Sequence, residues 1–226
     1  MVAPQKMVRE WPYAGGDLFD RAQALTTTPG YNGWTIKDTS VAGTPTYLCV
    51  SGGGLALAFT ALEEAQNVCA YTNDVLPFDI DELQHVEMDV KLSGMASATS
   101  LAFGIAGARN DALDSVAQHA WFRMEGGTST TLVVVETDDG TNDNDDKATT
   151  KTLSSTAKRF RIDFTNGTSD VRFYIDDDRV AATTTFDMSN YTGNLQPFIQ
   201  LQKTASTNAG TLTILRYRVQ YAKVIG

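Results

Sequence analysis

From Phe160 onward the sequence alternates apolar and polar residues between turn signals, a pattern that commits a chain to antiparallel β-structure. In FRIDF, Phe160, Ile162 and Phe164 share one face, with Arg161 and Asp163 on the other. Beyond Asn166-Gly167, Val171, Phe173 and Ile175 repeat the arrangement against Arg172 and Tyr174. A period of two means half-buried strands, because successive side chains point to opposite faces. Asn-Gly between two such runs predicts a tight hairpin, since both residues tolerate positive φ. Asp176-Asp177-Asp178 predicts a second turn. Such sheets pack one face and wet the other.

The rest of the chain follows the same grammar. Residues 17–20, 34–37, 47–50, 55–59, 86–92, 101–105, 121–125, 132–136, 195–202 and 211–221 are predicted strands. Gly52-Gly53-Gly54 predicts a tight turn; neither Lys-Ser/Thr nor a helix follows it, as a phosphate loop would need. ALEEAQ at 61–66 is the one stretch with helical character. No segment recurs at a fixed period, which disfavours solenoids and propellers. Many short strands at spacings near ten residues mean a sandwich or barrel. Residues 1–14 lack periodicity but hold Trp11 and Tyr13, so they are expected to form an irregular arm whose aromatics dock onto a partner or onto the domain at 15–226.

Composition narrows the function classes. A chain of 226 residues, 42% apolar and 20% charged, supports one sizeable core. The net charge of −9, with dispersed Lys and Arg, argues against a nucleic-acid partner. No apolar run approaches the roughly 20 residues of a membrane helix. MVAPQKMVREWPY has no apolar h-region, so no secretory signal is expected there. Cys49 and Cys69 sit in apolar stretches and read as buried thiols, with a bridge between adjacent strands as the alternative.

Three groups of residues could carry chemistry. Glu87 and Asp89 share a strand face about 7 Å apart, a spacing that paired-carboxylate glycosidases could use, but Lys91 comes next and suggests a charge-balanced face. DDGTNDNDD at 138–146 is rich in oxygen ligands, so a structural Ca²⁺ is one reading and a mobile, like-charged hairpin loop the simpler one. Gln196, Phe198, Gln200 and Gln202 share a face; they could bind sugar hydroxyls or form an amide ladder in a half-buried groove. No nucleophile elbow is present, and neither His85 nor His119 has a recognisable Ser or Cys partner.

The succession FRIDF at 160–164, VRFYID at 171–176, LQPF at 195–198, QLQK at 200–203 and GTLTI at 210–214 resembles the concanavalin A-like (laminin G/glucanase-type) jelly roll, in the form found in capsid decoration proteins of tailed bacteriophages. Residues 17–34, 86–94 and 101–107 also fit, so the resemblance covers most of 15–222. It implies an all-β, two-sheet antiparallel jelly-roll sandwich and a non-enzymatic cement protein, made in the host cytoplasm and placed on the virion capsid exterior. The implied partner is the major capsid protein, bound by a homodimer or homotrimer, with Trp11 and Tyr13 as docking residues. Laminarinase-type hydrolases share this jelly roll and carry Glu, Asp and Glu on the catalytic strand. Here Lys91 or Leu92 stands where the last acid belongs, so no catalytic residue and no cofactor are carried over. The alternative is a carbohydrate- or receptor-binding module of a phage fibre with a surface glycan as ligand; a glycoside hydrolase comes third.

Overall fold

The computed structural model describes residues 6–10, 23–24, 34–50 and 54–224, with side chains described for 34–49 and 54–221. Its strands, in chain order, are β1 (Lys6–Glu10), β2 (Gln23–Ala24), β3 (Thr35–Asp38), β4 (Thr46–Val50), β5 (Gly54–Ala58), β6 (Gln66–Tyr71), β7 (Phe78–Asp79), β8 (Leu83–Ser93) and β9 (Thr99–Ala106). There follow β10 (His119–Glu125), β11 (Leu132–Asp138), β12 (Asp143–Thr152), β13 (Lys158–Asp163), β14 (Arg172–Ile175), β15 (Asp178–Val180), β16 (Asn194–Lys203) and β17 (Thr211–Val224). Among the described residues these make two antiparallel sheets. The first runs β15-β14-β13-β8-β17-β5-β4-β2, with β1 also pairing with β17; the second runs β12-β11-β10-β9-β16-β6-β3, with β7 also pairing with β16. The chain is thus an all-β sandwich. Residues 17–20, together with Trp11 and Tyr13 of the arm, lie outside the described residues.

The two late strands hold the centre of each sheet. β17 separates β8 from β5, and β16 separates β9 from β6. Neither sheet closes until the C-terminal third has formed, and such long-range pairing makes folding slow. Alternation drives this arrangement: Val86, Met88, Val90 and Leu92 of β8 and Leu101, Phe103 and Ile105 of β9 all turn into the space between the sheets. Phe103, Phe122, Phe160, Phe173 and Phe186 continue that core as a chain of ring contacts with centroids 4.9–5.7 Å apart. Such aromatic pairs add roughly 0.5–1.5 kcal/mol each beyond the area they bury. The Tyr217 hydroxyl, from the first sheet, donates to the Gly104 carbonyl of the second, which ties the layers at mid-core.

Two local expectations are corrected. ALEEAQ forms bends, not a helix, and its last residue opens β6. A segment this short cannot offset helix nucleation, and the Gln66 side chain is drawn away to Ala42 O and Thr60 Oγ1. Asn166-Gly167 does not make a two-residue hairpin: 164–171 connect β13 to β14 through a 3-10 turn at Thr168–Asp170. Only Gly167 of that pair takes positive φ, at 87°. The two-residue turn is at Asp176 and Asp177, whose φ values of 52° and 67° let Ile175 pair with Asp178. Cys49 and Cys69 are buried, free and in different sheets, which removes the bridge.

Candidate functional site

The outer faces of the two sheets differ in charge, and that difference locates the site. On the first sheet, Glu87 and Asp89 project outward from β8 between β13 and β17. Asp89 meets Arg216 Nε at 3.0 Å and Arg159 at 3.8 Å, while Glu87 meets Arg218 at 3.5 Å. Cations on the flanking strands neutralise this pair, so it is a solvated charge ladder. His85 adds only a 3.6 Å approach to Asp163 on the same sheet.

The outer face of the second sheet is partly roofed by the loop 107–118. Leu113 and Val116 of that loop bury Trp121 and Phe198, and Ala102, Ala106, Cys69 and Tyr71 complete this small satellite core. The amide row on β16 holds the roof down. Gln196 Nε2 donates to Gly107 O at 2.8 Å and its Oε1 accepts from Thr72 N at 3.2 Å; Gln200 Nε2 donates to Asp111 O at 3.0 Å. The ladder reading therefore describes Gln196 and Gln200, and neither is free to meet solvent. Gln202, half-buried, lines a groove of about 470 Å³ with Asn67, Ser100 and Asp111. Two buried carbonyl oxygens near it, Asn67 Oδ1 and Gln200 Oε1, have no partner among the described residues.

Beside this groove, on β10 to β12, lies a cleft of about 240 Å³. Alternation on β10 puts His119, Trp121, Arg123 and Glu125 on the outer face, next to Glu136 and Asp138 of β11. Trp121 fits there because its register partner is Gly104, where a Cβ would come within 2.4 Å of Ala120 O. The β11–β12 register slips between Val135/Lys147 and Thr137/Asn144, so Glu136 faces both Asp145 and Asp146 across a bulge. Asp146 there takes φ 48°.

Glu136 is the hub. It is 1% exposed, and it accepts from Trp121 Nε1 at 2.7 Å and from Arg123 Nη1 at 3.2 Å. Burial, helped by a hydrogen bond with Asp146, raises its carboxyl to about 7 against the opposing Arg123 charge and Trp121 hydrogen bond. Arg123 also holds Asp114 of the roof at 2.6 Å and donates from Nε to Glu125 at 2.7 Å. Glu125 in turn accepts from Ser100 Oγ at 2.7 Å, which joins the cleft to the groove. His119 stacks on Trp121, centroids 3.7 Å apart, and its Nδ1 donates to Val116 O at 2.9 Å. That bond fixes the neutral tautomer with a lone pair on Nε2; burial lowers the imidazole pKa to about 4. Nε2 itself has no hydrogen-bond partner among the described residues.

The acidic run at 138–146 forms a hydrogen-bonded turn between β11 and β12, and Asp143 to Asp146 belong to β12. Asp139 is buried and accepts from Thr141 N, Asn142 N and Nδ2, and Asn190 N at 2.6–3.1 Å. Among the described residues no group of three or more His, Cys, Asp or Glu is arranged to hold a metal ion. The sequence reading missed Glu136, Trp121, Arg123, His119 and Asp114. The available signal was the two adjacent predicted strands 121–125 and 132–136, with Trp121, Arg123 and Glu125 at alternate positions of the first and Glu136 closing the second.

No protein-family model and no curated protein matches the sequence. Solved structures do match it. The Emp47p carbohydrate recognition domain superposes with a TM-score of 0.57 at 13% identity, over 90% of this chain and 95% of that one. The catalytic domain of an endo-1,3-beta-glucanase (laminarinase) from Thermotoga petrophila RKU-1 gives 0.61 at 10% identity, over 97% and 98%. A glycoside hydrolase family protein from Mycobacterium thermorestibile gives 0.57 at 13%, over 90% and 98%. At these identities the likeness establishes the fold: the chain is a concanavalin A-like sandwich.

Proposed function

We propose that this chain is a carbohydrate-binding domain that takes a saccharide across the outer face of the second sheet, in the groove beside Gln202 and the adjoining acidic cleft. The observation that carries the reading is a pair of buried acceptors without partners on that one face, Asn67 Oδ1 in the groove and His119 Nε2 in the cleft. A buried acceptor left unmade costs roughly 1–3 kcal/mol, and hydroxyl donors of a ligand would recover that cost. Carbohydrate recognition domains and glycoside hydrolases of the same fold support the reading as analogy only.

The role is binding, without turnover. Glu87 and Asp89 stand on the opposite face of the molecule from the groove and are neutralised by arginines. The capsid-decoration expectation, with the major capsid protein as partner, comes from the strand-pattern resemblance, and its docking residues Trp11 and Tyr13 lie outside the described residues. No feature of the described residues favours it over sugar binding. A glycan-array screen followed by calorimetric titration tests the proposal. At least one oligosaccharide is expected to bind, with Gln202→Ala and Asn67→Ala each weakening it about tenfold, or ~1.4 kcal/mol. Absence of binding to any glycan would refute it.

A further inference from the structure

The acidic cleft has a charge imbalance that a neutral sugar would not address. Arg123 is the one cation lining it, and Asp114, Glu125 and Glu136 already engage that guanidinium. Asp138, Asp143, Asp145 and Asp146 line the same cleft, and none of them forms an ion pair within 4 Å among the described residues. At the floor, His119 is only 5% exposed and its Nε2 is an unpartnered acceptor. Glu136 Oε2 lies 3.9 Å from it. Two acceptors this close can be joined by one atom only if that atom carries at least two hydrogens. A sugar hydroxyl has one to give and a water two; an ammonium has three and also brings the positive charge that the surrounding carboxylates lack. A bare metal ion does not suit the site, because the carboxylates are not clustered as ligands of one centre.

We infer that the cleft receives the ammonium group of an amino sugar, seated between His119 Nε2 and Glu136 Oε2 and surrounded by the carboxylates of β11 and β12. The inference rests on the carbohydrate reading and adds the chemical class of one sugar unit. Neighbouring units of the chain lie in the groove lined by Gln202 and Asn67, reached past the Ser100–Glu125–Arg123 link. The carboxylates supply charge pairing with the ligand, and their excess rejects uronic and sialic acids.

The test is calorimetric titration of the whole chain with oligomers of glucosamine, of N-acetylglucosamine and of glucose, in chelator-containing buffer at about pH 7, where an amine stays largely protonated and the Glu136 carboxyl has begun to ionise. The glucosamine oligomer is expected to bind at least about tenfold tighter than either neutral oligomer. Its advantage is expected to shrink as salt rises from about 0.05 to 0.3 M. Glu136→Gln should abolish the preference; Asp143→Asn, at the exposed rim and harmless to folding, should reduce it several-fold. Gln202→Ala should weaken all three ligands alike. Equal or tighter binding of the neutral oligomers, still sensitive to Gln202→Ala, would overturn the inference and leave the carbohydrate reading standing. A simple polyamine binding as tightly as the glucosamine oligomer would also overturn it, and so would Ca²⁺ binding at this cleft. No saccharide binding at all would remove both.

Discussion

Glu136→Gln and His119→Phe, made separately, should tilt the pH dependence of stability in opposite directions. Burial holds the folded Glu136 carboxyl at about 7 against 4.5 for the free side chain, so the folded state keeps its proton longer than the unfolded chain. The stability tied to this group is therefore complete below pH 4.5 and drains away as pH rises towards 7. His119 behaves in reverse: burial brings its folded value to about 4 against 6.5. Its contribution is complete above pH 6.5 and drains away as pH falls towards 4. With about 1.4 kcal/mol per pKa unit, linkage gives each group a swing of about 2 kcal/mol between pH 4.5 and 6.5, of opposite sign. In the intact protein the two swings cancel. Removing Glu136 should make the variant gain about 2 kcal/mol on wild type as pH rises across that window; removing His119 should make it lose about as much. Phe keeps the stacking on Trp121, so the second variant isolates the titration. Urea unfolding at three pH values across the window reads both slopes, and comparison with wild type cancels groups common to all three proteins, such as Asp138 and Asp143. Slopes for both variants parallel to wild type within about 0.5 kcal/mol would refute the electrostatic account of the cleft.

Two further substitutions probe other parts of the argument. Lys203 is 4% exposed, and its Nζ reaches the carbonyls of Thr60, Leu62, Ser206 and Asn208 at 2.7–3.0 Å, pinning two loops. Lys203→Met leaves those acceptors unmade and should cost roughly 2–4 kcal/mol, allowing for water entering at the loop surface; thermal unfolding should show a Tm fall of about 5–15 °C, and a fall of under about 2 °C would contradict it. Glu87→Gln and Asp89→Asn should each change stability by less than about 1 kcal/mol, as half-exposed ion pairs do, and leave glycan affinity unchanged in the same titrations.

The parts of the fold legible in the sequence were those set by period alone. FRIDF and VRFYI gave β13 and β14 with the correct faces inward, because burying Phe160, Ile162, Phe173 and Ile175 leaves only one register. Turn chemistry was less legible. Asn166-Gly167 had the stronger short-range signal, yet Asp163 accepts from Thr165 N and Oγ1 and opens a longer connection. The tight mirror-image turn went to Asp176-Asp177, where antiparallel pairing imposes positive φ on aspartates. The site was the least legible part. Its members come from β10, β11, β12 and the 107–118 roof, and which strands become neighbours is a property of topology that no local pattern reports. His119 looked like an unattached histidine because its partners, Val116 O and the Trp121 ring, become partners only when β10 lies beneath that roof.

The two outer faces then separate stability from recognition. On the first sheet the outward acids of β8 meet arginines from a neighbouring strand, as Asp89 meets Arg216 and Glu87 meets Arg218, and Asp170 in the turn before β14 meets Arg172. On the second sheet, burial raises the carboxyls of Glu136, Asp138 and Asp143 above their ordinary range, and a raised carboxyl is stability forgone near neutral pH. Five of the chain's cations, Lys158, Arg159, Arg161, Arg216 and Arg218, lie on the first sheet, while on β12 the charge of Lys147 acts on Asp143 without offsetting its burial. A fold indifferent to ligands would gain by spreading its charges evenly. Concentrating uncompensated acids around an unpartnered histidine nitrogen is the arrangement of a surface that completes its hydrogen bonds and its charge balance with something from outside.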